Sequence, residues 1–210
     1  GTILRAADLT GANLFGVDLS GMDLTVTTLK DVDLSGMDLT GTILRGADLS
    51  GMDLTGTILR GADLSNSTLP DDILSKNNFD NTIFNGVNLS GKDLSYSTFR
   101  NANFDDTNMK NTNLFGAVFL EVDLTMIKSL TGADLVSASF THSNLSGVNL
   151  AGTILKGSNF YNSNLQNIKI MKNRFNLPVG VSDHSTDNKI AISSFFLGAR
   201  VFEKHVRLNK

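Results

Sequence analysis

The sequence contains no cysteine and only two prolines among its 210 residues. Without cysteine, the chain has no disulfide framework, no thiolate nucleophile and no cysteine-based zinc site. Its 18 basic and 21 acidic side chains leave a formal net charge of -3, which is too balanced for a nucleic-acid-binding surface. No apolar run approaches the roughly 20 residues of a membrane-spanning helix, and no secretory signal is visible. We therefore expect no direct binding of nucleic acid and no membrane span.

What the sequence has in abundance is a repeat of five residues. Apolar centres recur at every fifth position from Leu4 to Leu124 and, after one extra residue, from Leu130 to Leu165. The residue two before each centre is usually small or β-branched, and the residue directly before it is mostly Asp or Asn. The residue two after the centre is mostly Gly. Residues 36–65 repeat the segment GMDLTGTILRGADLS twice without a change.

A period of five matches neither a helix, which repeats every 3.6 residues, nor a strand, which repeats every two. One glycine in five would also cost a helix about 1 kcal/mol each relative to alanine. Gly, Asn and Asp favour turns, so the pattern predicts short extended pieces separated by turns, with the centre and the small residue pointing inward. A single unit buries too little apolar surface to be stable alone, and coils must therefore stack on coils.

The pattern A-(D/N)-L-x-G, seen in Ala7-Asp8-Leu9-Thr10-Gly11 and Ala47-Asp48-Leu49-Ser50-Gly51, resembles the pentapeptide-repeat family. The resemblance extends from about Thr2 to Asn167. It implies a right-handed β-helix of square cross-section, with four pentads in each coil and one pentad on each face. We therefore predict an all-β solenoid, a right-handed quadrilateral β-helix of about eight coils over residues 1–170, with a helical C-terminal cap.

Four pentads per coil place residues twenty apart in one stack. If the extra residue within 126–130 is a bulge that leaves the stack intact, the spacing predicts two ladders of phenylalanine rings. The bulge itself is either a plain loop or a landmark that a partner recognises. The predicted ladders are Phe79, Phe99, Phe119, Phe140 and Phe160 on one face, and Phe84 and Phe104 on the neighbouring face.

The duplicated fifteen-residue segment is out of step with a coil of twenty. Arg45 and Arg60 should therefore lie on adjacent faces, as should Ile43 and Ile58. A second irregularity concerns the inward slot two residues before the centre, which carries a long side chain in four pentads. We expect local swelling or an outward tilt at these four positions: Met22, Met37, Met52 and Lys92.

Residues 171–210 do not follow the five-residue repeat, and we interpret them as a linker and a C-terminal capping segment. Residues 173–189 have the composition of a loop. We predict a helix from about Ser193 to Arg207, because Phe195, Ala199 and Phe202 fall on one helical face. Such a cap would cover the unpaired edges of the last coil. A homodimer contact is the second interpretation of this basic segment. The chain opens inside the repeat without a cap, which we interpret as the mark of a fragment of a larger protein.

Residue types that carry chemistry are scarce. His142, His184 and His205 show no metal-ligand spacing, and Asp183-His184-Ser185 are neighbours in sequence rather than a triad assembled in space. The glycines are spaced for turns and not for a phosphate-binding loop. We therefore predict a protein that is not an enzyme, with no catalytic residues, no metal site, no cofactor and no small-molecule substrate.

A row of stacked carboxylates is the one feature that favours ion binding. Asp33, Asp53 and Asp93 fall on the same face. Stacked carboxylates raise one another's pKa or attract a cation, although a solvated row is the commoner outcome.

Outward-pointing aromatic and arginine residues favour a binding surface. Our first hypothesis is a rigid module for protein–protein interaction. The repeats resemble those of secreted bacterial effectors, and this resemblance implies a protein of the bacterial cytoplasm or one that is secreted into a host cell. The alternative is a DNA-mimicking inhibitor or protector of DNA gyrase, of the Qnr and MfpA type, which the weak net charge and the outward basic residues disfavour. The candidate interaction residues are Phe15, Phe115, Tyr96, Tyr161, Arg60 and Arg100.

Overall fold

The computed structural model describes residues 4–71, 74–166, 168, 180–183 and 201–204. In the repeat region, single parallel bridges join residues twenty apart, such as Asp8 with Thr28 and Thr28 with Asp48. The backbone therefore forms coils of four short sides, and eight such coils fit between Leu4 and Phe160. We name the four faces A to D in chain order after the centres of the first coil, Leu4, Leu9, Leu14 and Leu19.

The centres form one continuous core. From Leu19 to Leu150 every described centre is buried, and small residues such as Ala47 and Ala62 fill the second inward slot. Where that slot holds a hydroxyl, the hydroxyl in most coils donates to the carbonyl of a centre 23 residues earlier, whereas Ser67 and Thr153 donate to the centre three residues earlier. The Oγ1–O distances are 2.9 Å from Thr42 to Leu19 and 2.9 Å from Thr57 to Leu34. These interior hydroxyls are thus hydrogen-bonded, as burial demands.

Glycine recurs two residues after the centres because the chain turns there from one face to the next, at a corner of the coil. Gly56 has a φ of +71°, in the left-handed region, and a Cβ built on it would lie 3.6 Å from Cα of Gly36 in the preceding coil. Glycine adopts this conformation without steric cost, and Asn tolerates it better than other residues. The corner slot therefore selects Gly and Asn on both conformational and packing grounds.

Both predicted phenylalanine ladders are confirmed. Ring centroids in the longer ladder are 5.4, 4.8, 4.8 and 5.1 Å apart from Phe79 to Phe160, with the rings nearly parallel. Phe84 and Phe104 stack at 5.2 Å on face A. Four pentads per coil follow directly, because any other number would place these rings on different faces.

The extra residue within 126–130 forms a bulge of one residue, as predicted. Bridges join Asn108 with Ser129 and Val118 with Ser139, 21 residues apart, and then return to 20 between Asp134 and Ile154. Ile127 packs partly against the core, whereas Lys128 is exposed. The bulge leaves the stack of faces intact and opens a shallow cleft of about 230 Å³ beside it.

The only named strands of the described residues lie beyond the coils. β1, Gly180–Asp183, pairs in parallel with β2, Val201–Lys204. The helix predicted for 193–207 is therefore wrong over 201–204, and the loop predicted for 173–189 is wrong over 180–183. Val201 and Phe202 are residue types that favour strands, and short apolar runs do not distinguish helix from strand. The remainder of the predicted cap, and the homodimer contact assigned to it, lie outside the described residues.

Candidate functional site

Face D carries an aromatic residue at each of its two edges. Tyr96 sits at the corner between faces C and D, in the slot that usually holds Gly or Asn, with a φ of +58°. Its ring lies over Gly116, where a Cβ would come within 2.8 Å of Tyr96 Cδ1. The absence of a side chain at Gly116 therefore makes room for the tyrosine ring, which remains 55% exposed.

Phe115 completes the first edge. Its ring meets that of Tyr96 edge-to-face, with centroids 5.3 Å apart, and its carbonyl accepts the Tyr96 N–H at 2.8 Å. Val136 follows Phe115 in the next coil and is half-buried, and Val118 lies outward on face D itself. We call Tyr96, Phe115, Val118 and Val136 the aromatic patch.

The opposite edge of face D has the same arrangement two coils further on. His142 and Tyr161 meet edge-to-face at 5.9 Å, and the Tyr161 carbonyl accepts the His142 N–H at 3.0 Å. His142 also has a φ of +58°. In both pairs a corner residue of one coil contacts the residue 19 positions later in the next coil.

Four of the six predicted site residues border face D in the fifth to eighth coils, and two of them, Tyr96 and Phe115, contact each other. Tyr96 and Phe115 lie at one edge, while Arg100 and Tyr161 lie at the other, with Arg100 Nη2 placed 3.5 Å from Glu121 Oε2. Phe15 and Arg60 occupy the same two edges, but in the first and third coils. Phe15 is 95% exposed, and no described ring contacts it.

Three residues of this surface were missed as site candidates: Val118, Val136 and His142. Val136 could have been found from the sequence, because the extra residue within 126–130 increases the stacking distance from 20 to 21 residues and so places Val136 over Phe115. His142 was judged only as a metal ligand, and its pairing with Tyr161 follows from the 19-residue relation at corners.

Two carboxyls of the acidic row, those of Asp33 and Asp53, have lowered pKa values. The Ser35 hydroxyl, and then its N–H, donate to Asp33 and hold the pKa of that carboxyl below its usual value. Thr55 lowers the pKa of Asp53 in the same way, against a smaller opposing effect of Asp33. The donors of each turn therefore outweigh the repulsion between the stacked carboxylates, and the pKa values of both groups stay below the usual value. In residues 4–71 and 74–166, no group of three or more acidic or histidine side chains is arranged to hold a metal ion.

The backbone ladder is open at both pairs of stacked carboxylates, and also at pairs without two carboxylates such as Ile58 and Asn78. Within the described coils, no bridge joins Asp33 with Asp53 or Asp18 with Asp38. Like charges directly opposite each other are destabilising. The long side chains of Met37 and Met52 fill the neighbouring inward slots, so the open ladder agrees with the predicted swelling there. Beside Met22, by contrast, Asp23 and Ile43 are bridged, and no opening is seen.

The duplicated segment places its two arginines in different surroundings, as predicted. Arg45 Nε lies 2.5 Å from Oδ2 of Asp63, whose side chain is only 8% exposed. Burial raises the pKa of Asp63, but Ser65 and Arg45 together outweigh that effect and leave the pKa lowered. The residue that stands 18 positions after Arg60 is Asn78. Among the described residues, the same local sequence therefore forms an ion pair at Arg45 and none at Arg60.

No helix among the described residues has the length and apolarity needed to cross a lipid bilayer. The cleft at the bulge, of about 230 Å³, lies below the 300 Å³ or more that is usual for ligand pockets.

Comparisons with known proteins agree with the architecture. The family model described as pentapeptide repeats matches residues 7–46, 33–71, 93–125 and 129–168. A second model, described as the NeuB family, matches residues 157–210. No match is found among curated proteins.

Solved structures that are similar to the chain include a pentapeptide-repeat protein and a resistance protein. One is HetL, a pentapeptide-repeat protein involved in heterocyst differentiation regulation in the cyanobacterium Nostoc sp. strain PCC 7120. It is 30% identical over 80% of this chain and 86% of HetL, with a TM-score of 0.49. The other is full-length QnrB1, a plasmid-mediated fluoroquinolone resistance protein, which is 20% identical over 91% of this chain and 97% of QnrB1, with a TM-score of 0.37. By its repeats and its family match, this chain belongs to the pentapeptide-repeat family, whose members fold as right-handed quadrilateral β-helices.

Proposed function

We propose that the chain is a rigid, non-enzymatic module that binds a protein partner through face D of its fifth to eighth coils. The observation that carries this proposal is Tyr96, a bulky aromatic residue at a φ of +58° with more than half of its surface exposed. A left-handed backbone costs a residue with a Cβ roughly 1–2 kcal/mol. Glycine or asparagine at this corner would avoid that cost, as at most other corners of the rod.

The shape of face D supports protein binding more than ligand binding. Its middle row, which includes Thr98, Val118 and Ser139, is short and uncharged, and aromatic pairs stand at both edges. Aromatic residues and arginine are enriched among the side chains that dominate binding energy at protein interfaces. The Tyr96 and Phe115 rings are already packed against each other, so little side-chain freedom would be lost on binding.

The charge distribution of the rod favours this function over DNA mimicry. A mimic needs an unbroken acidic face, but Arg45 is paired with Asp63 and Arg100 with Glu121 along the coils. A DNA gyrase supercoiling assay, run from low to physiological ionic strength, separates the two functions. We expect no inhibition and no rescue from a quinolone at micromolar protein. Specific inhibition would assign the rod to the mimic class instead.

Site-specific photo-cross-linking tests the proposed surface directly. A benzoylphenylalanine placed at Phe115 should form a discrete adduct with a partner protein in cells. The same probe at Thr55, which occupies the same edge three coils away, provides the matched control. We expect an adduct at 115 that is lost when Tyr96 is changed to alanine, and none at 55. Equal adducts at both positions would contradict a specific surface on face D.

A further inference from the structure

Lys92 occupies an inward slot that in most other pentads holds a small residue, a hydroxyl or an apolar side chain. It lies on face C of the fifth coil, two residues before the centre Leu94, and its side chain is only 10% exposed. A lysine with so little contact with water must find partners for its ammonium group, because burial of an unpaired charge is costly. The swelling predicted at this position does not describe what the lysine does.

The Lys92 ammonium is fully hydrogen-bonded. Nζ lies 3.1 Å from the carbonyl oxygen of Leu69, 2.9 Å from that of Pro70 and 2.8 Å from Oδ1 of Asp71. A lysine ammonium has three donors, so these three acceptors in the fourth coil account for all of them. Leu69 stands 23 residues before Lys92, the same relation by which interior hydroxyls of other coils reach a carbonyl. Lys92 therefore replaces that hydroxyl and extends beyond it to the next two residues.

The corner that Lys92 reaches is irregular. In regular coils of face B, the carbonyl after the centre accepts a corner N–H of the preceding coil, as Lys30 does from Gly11 at 2.8 Å and Lys110 from Gly91 at 3.0 Å. Among the described backbone hydrogen bonds, Pro70 receives no such N–H, and its carbonyl accepts the lysine instead. No bridge joins Thr68 with Asn88 in this part of the rod either.

We propose that Lys92 is an ammonium lock that joins the fourth coil to the fifth where the regular backbone ladder is interrupted. The lock lies directly before the coils that carry the aromatic patch, and it holds the two halves of the rod as one body. Without it, the rod opens preferentially at this joint.

Hydrogen–deuterium exchange on the full chain tests the lock. Lys92→Met keeps the length of the side chain but removes its donors, so we expect exchange in segments 64–71 and 84–95 to accelerate at least tenfold. Lys92→Thr restores the regular interior hydroxyl to Leu69 but leaves Pro70 and Asp71 without a donor, and it should give an intermediate acceleration. Lys110→Met, at an exposed corner, serves as the control and should leave exchange unchanged.

A milder variant keeps the test decisive if Lys92→Met does not fold. Asp71→Ala removes one exposed acceptor and buries nothing, and it should accelerate exchange in the same two segments only. The proposal is overturned if Lys92→Met and Asp71→Ala leave both segments at wild-type rates. It is equally overturned if the acceleration is spread evenly along the rod, because that result would indicate a general loss of stability without a specific joint.

Discussion

Replacement of Phe99 by alanine should destabilise the rod more than almost any other single truncation. The ring is completely buried and stacks between Phe79 and Phe119, at 5.4 and 4.8 Å. It also meets Phe84 and Phe104 edge-to-face. Truncation of a buried phenylalanine to alanine costs about 3–5 kcal/mol. Aromatic pairs add about 0.5–1.5 kcal/mol each beyond the buried area, so we expect the upper part of that range.

Two further variants separate packing from stacking. Phe99→Leu keeps an apolar centre of the kind found at Leu39 and Leu59 on the same face. It loses the aromatic contacts of the ring, both stacked and edge-to-face, at about 0.5–1.5 kcal/mol for each pair, but it leaves a smaller cavity than alanine does. Phe15→Ala removes a ring that is almost wholly in solvent and should change stability by no more than about 0.5 kcal/mol. We therefore expect the largest loss of stability for Phe99→Ala, a smaller loss for Phe99→Leu and the smallest for Phe15→Ala.

Urea unfolding followed by circular dichroism measures these differences. Stacked repeats interact mainly with their neighbours and do not always unfold in one step. The midpoint and slope should therefore be compared with those from a second probe, such as amide exchange of the central coils. A midpoint for Phe99→Ala no lower than that of Phe15→Ala would refute the argument that the ladder is the centre of the core.

Three other changes follow from the corner and the charge geometry. Val26→Asn should raise the thermal midpoint and add about 1 kcal/mol of stability, because Val26 is a β-branched residue at a φ of +56° and is largely exposed; a lower midpoint would contradict strain at this corner. Arg45→Ala should cost about 1–2 kcal/mol in urea unfolding by leaving the buried Asp63 without its cation, whereas Arg60→Ala should change stability by less than about 0.5 kcal/mol, and equal losses would refute the assignment. Acid should destabilise the rod below about pH 4, because turn donors lower the pKa of many Asp carboxyls such as Asp33 beneath the unfolded value of about 3.9. The stability that the ionised carboxylates contribute is present above the unfolded pKa and is lost as pH falls through the native pKa values. A urea midpoint that stays constant from pH 5 to pH 2 would contradict this prediction.

The architecture could be predicted from the sequence because the residues that repeat with a period of five are the residues of the core. Each centre must be buried, so the five-residue repeat determines which residues point inward and, with twenty residues per coil, which of them stack. The run from Phe79 to Phe160 even located the bulge, since only one added residue keeps Phe119 and Phe140 in register. These inferences depend only on the spacing of residues along the chain and not on the conformations of their side chains.

The surface was less predictable because it depends on how corners of neighbouring coils meet. Lys92 was expected to swell the coil, but its length allows the ammonium to reach carbonyls of the coil before. The pairing of Tyr96 with Phe115 required the 19-residue relation between corner positions, which the buried beat does not reveal. In the C-terminal segment, Phe202 fits one helical face with Phe195 and Ala199, yet it lies in a strand that pairs with distant residues. Periodicity alone cannot distinguish these alternatives over so few residues.

The most direct test of the proposed function is the affinity of the partner captured at Phe115 for the wild-type chain and for Tyr96→Ala. Residues that dominate protein interfaces cost about 2 kcal/mol or more when truncated, which corresponds to a loss of roughly 30-fold in affinity. We expect biolayer interferometry to show at least that loss for Tyr96→Ala, while Phe15→Ala, at the same edge in the first coil, binds like the wild type. An affinity unchanged by Tyr96→Ala, or lowered equally by both substitutions, would contradict the claim that the aromatic patch on face D is the binding surface.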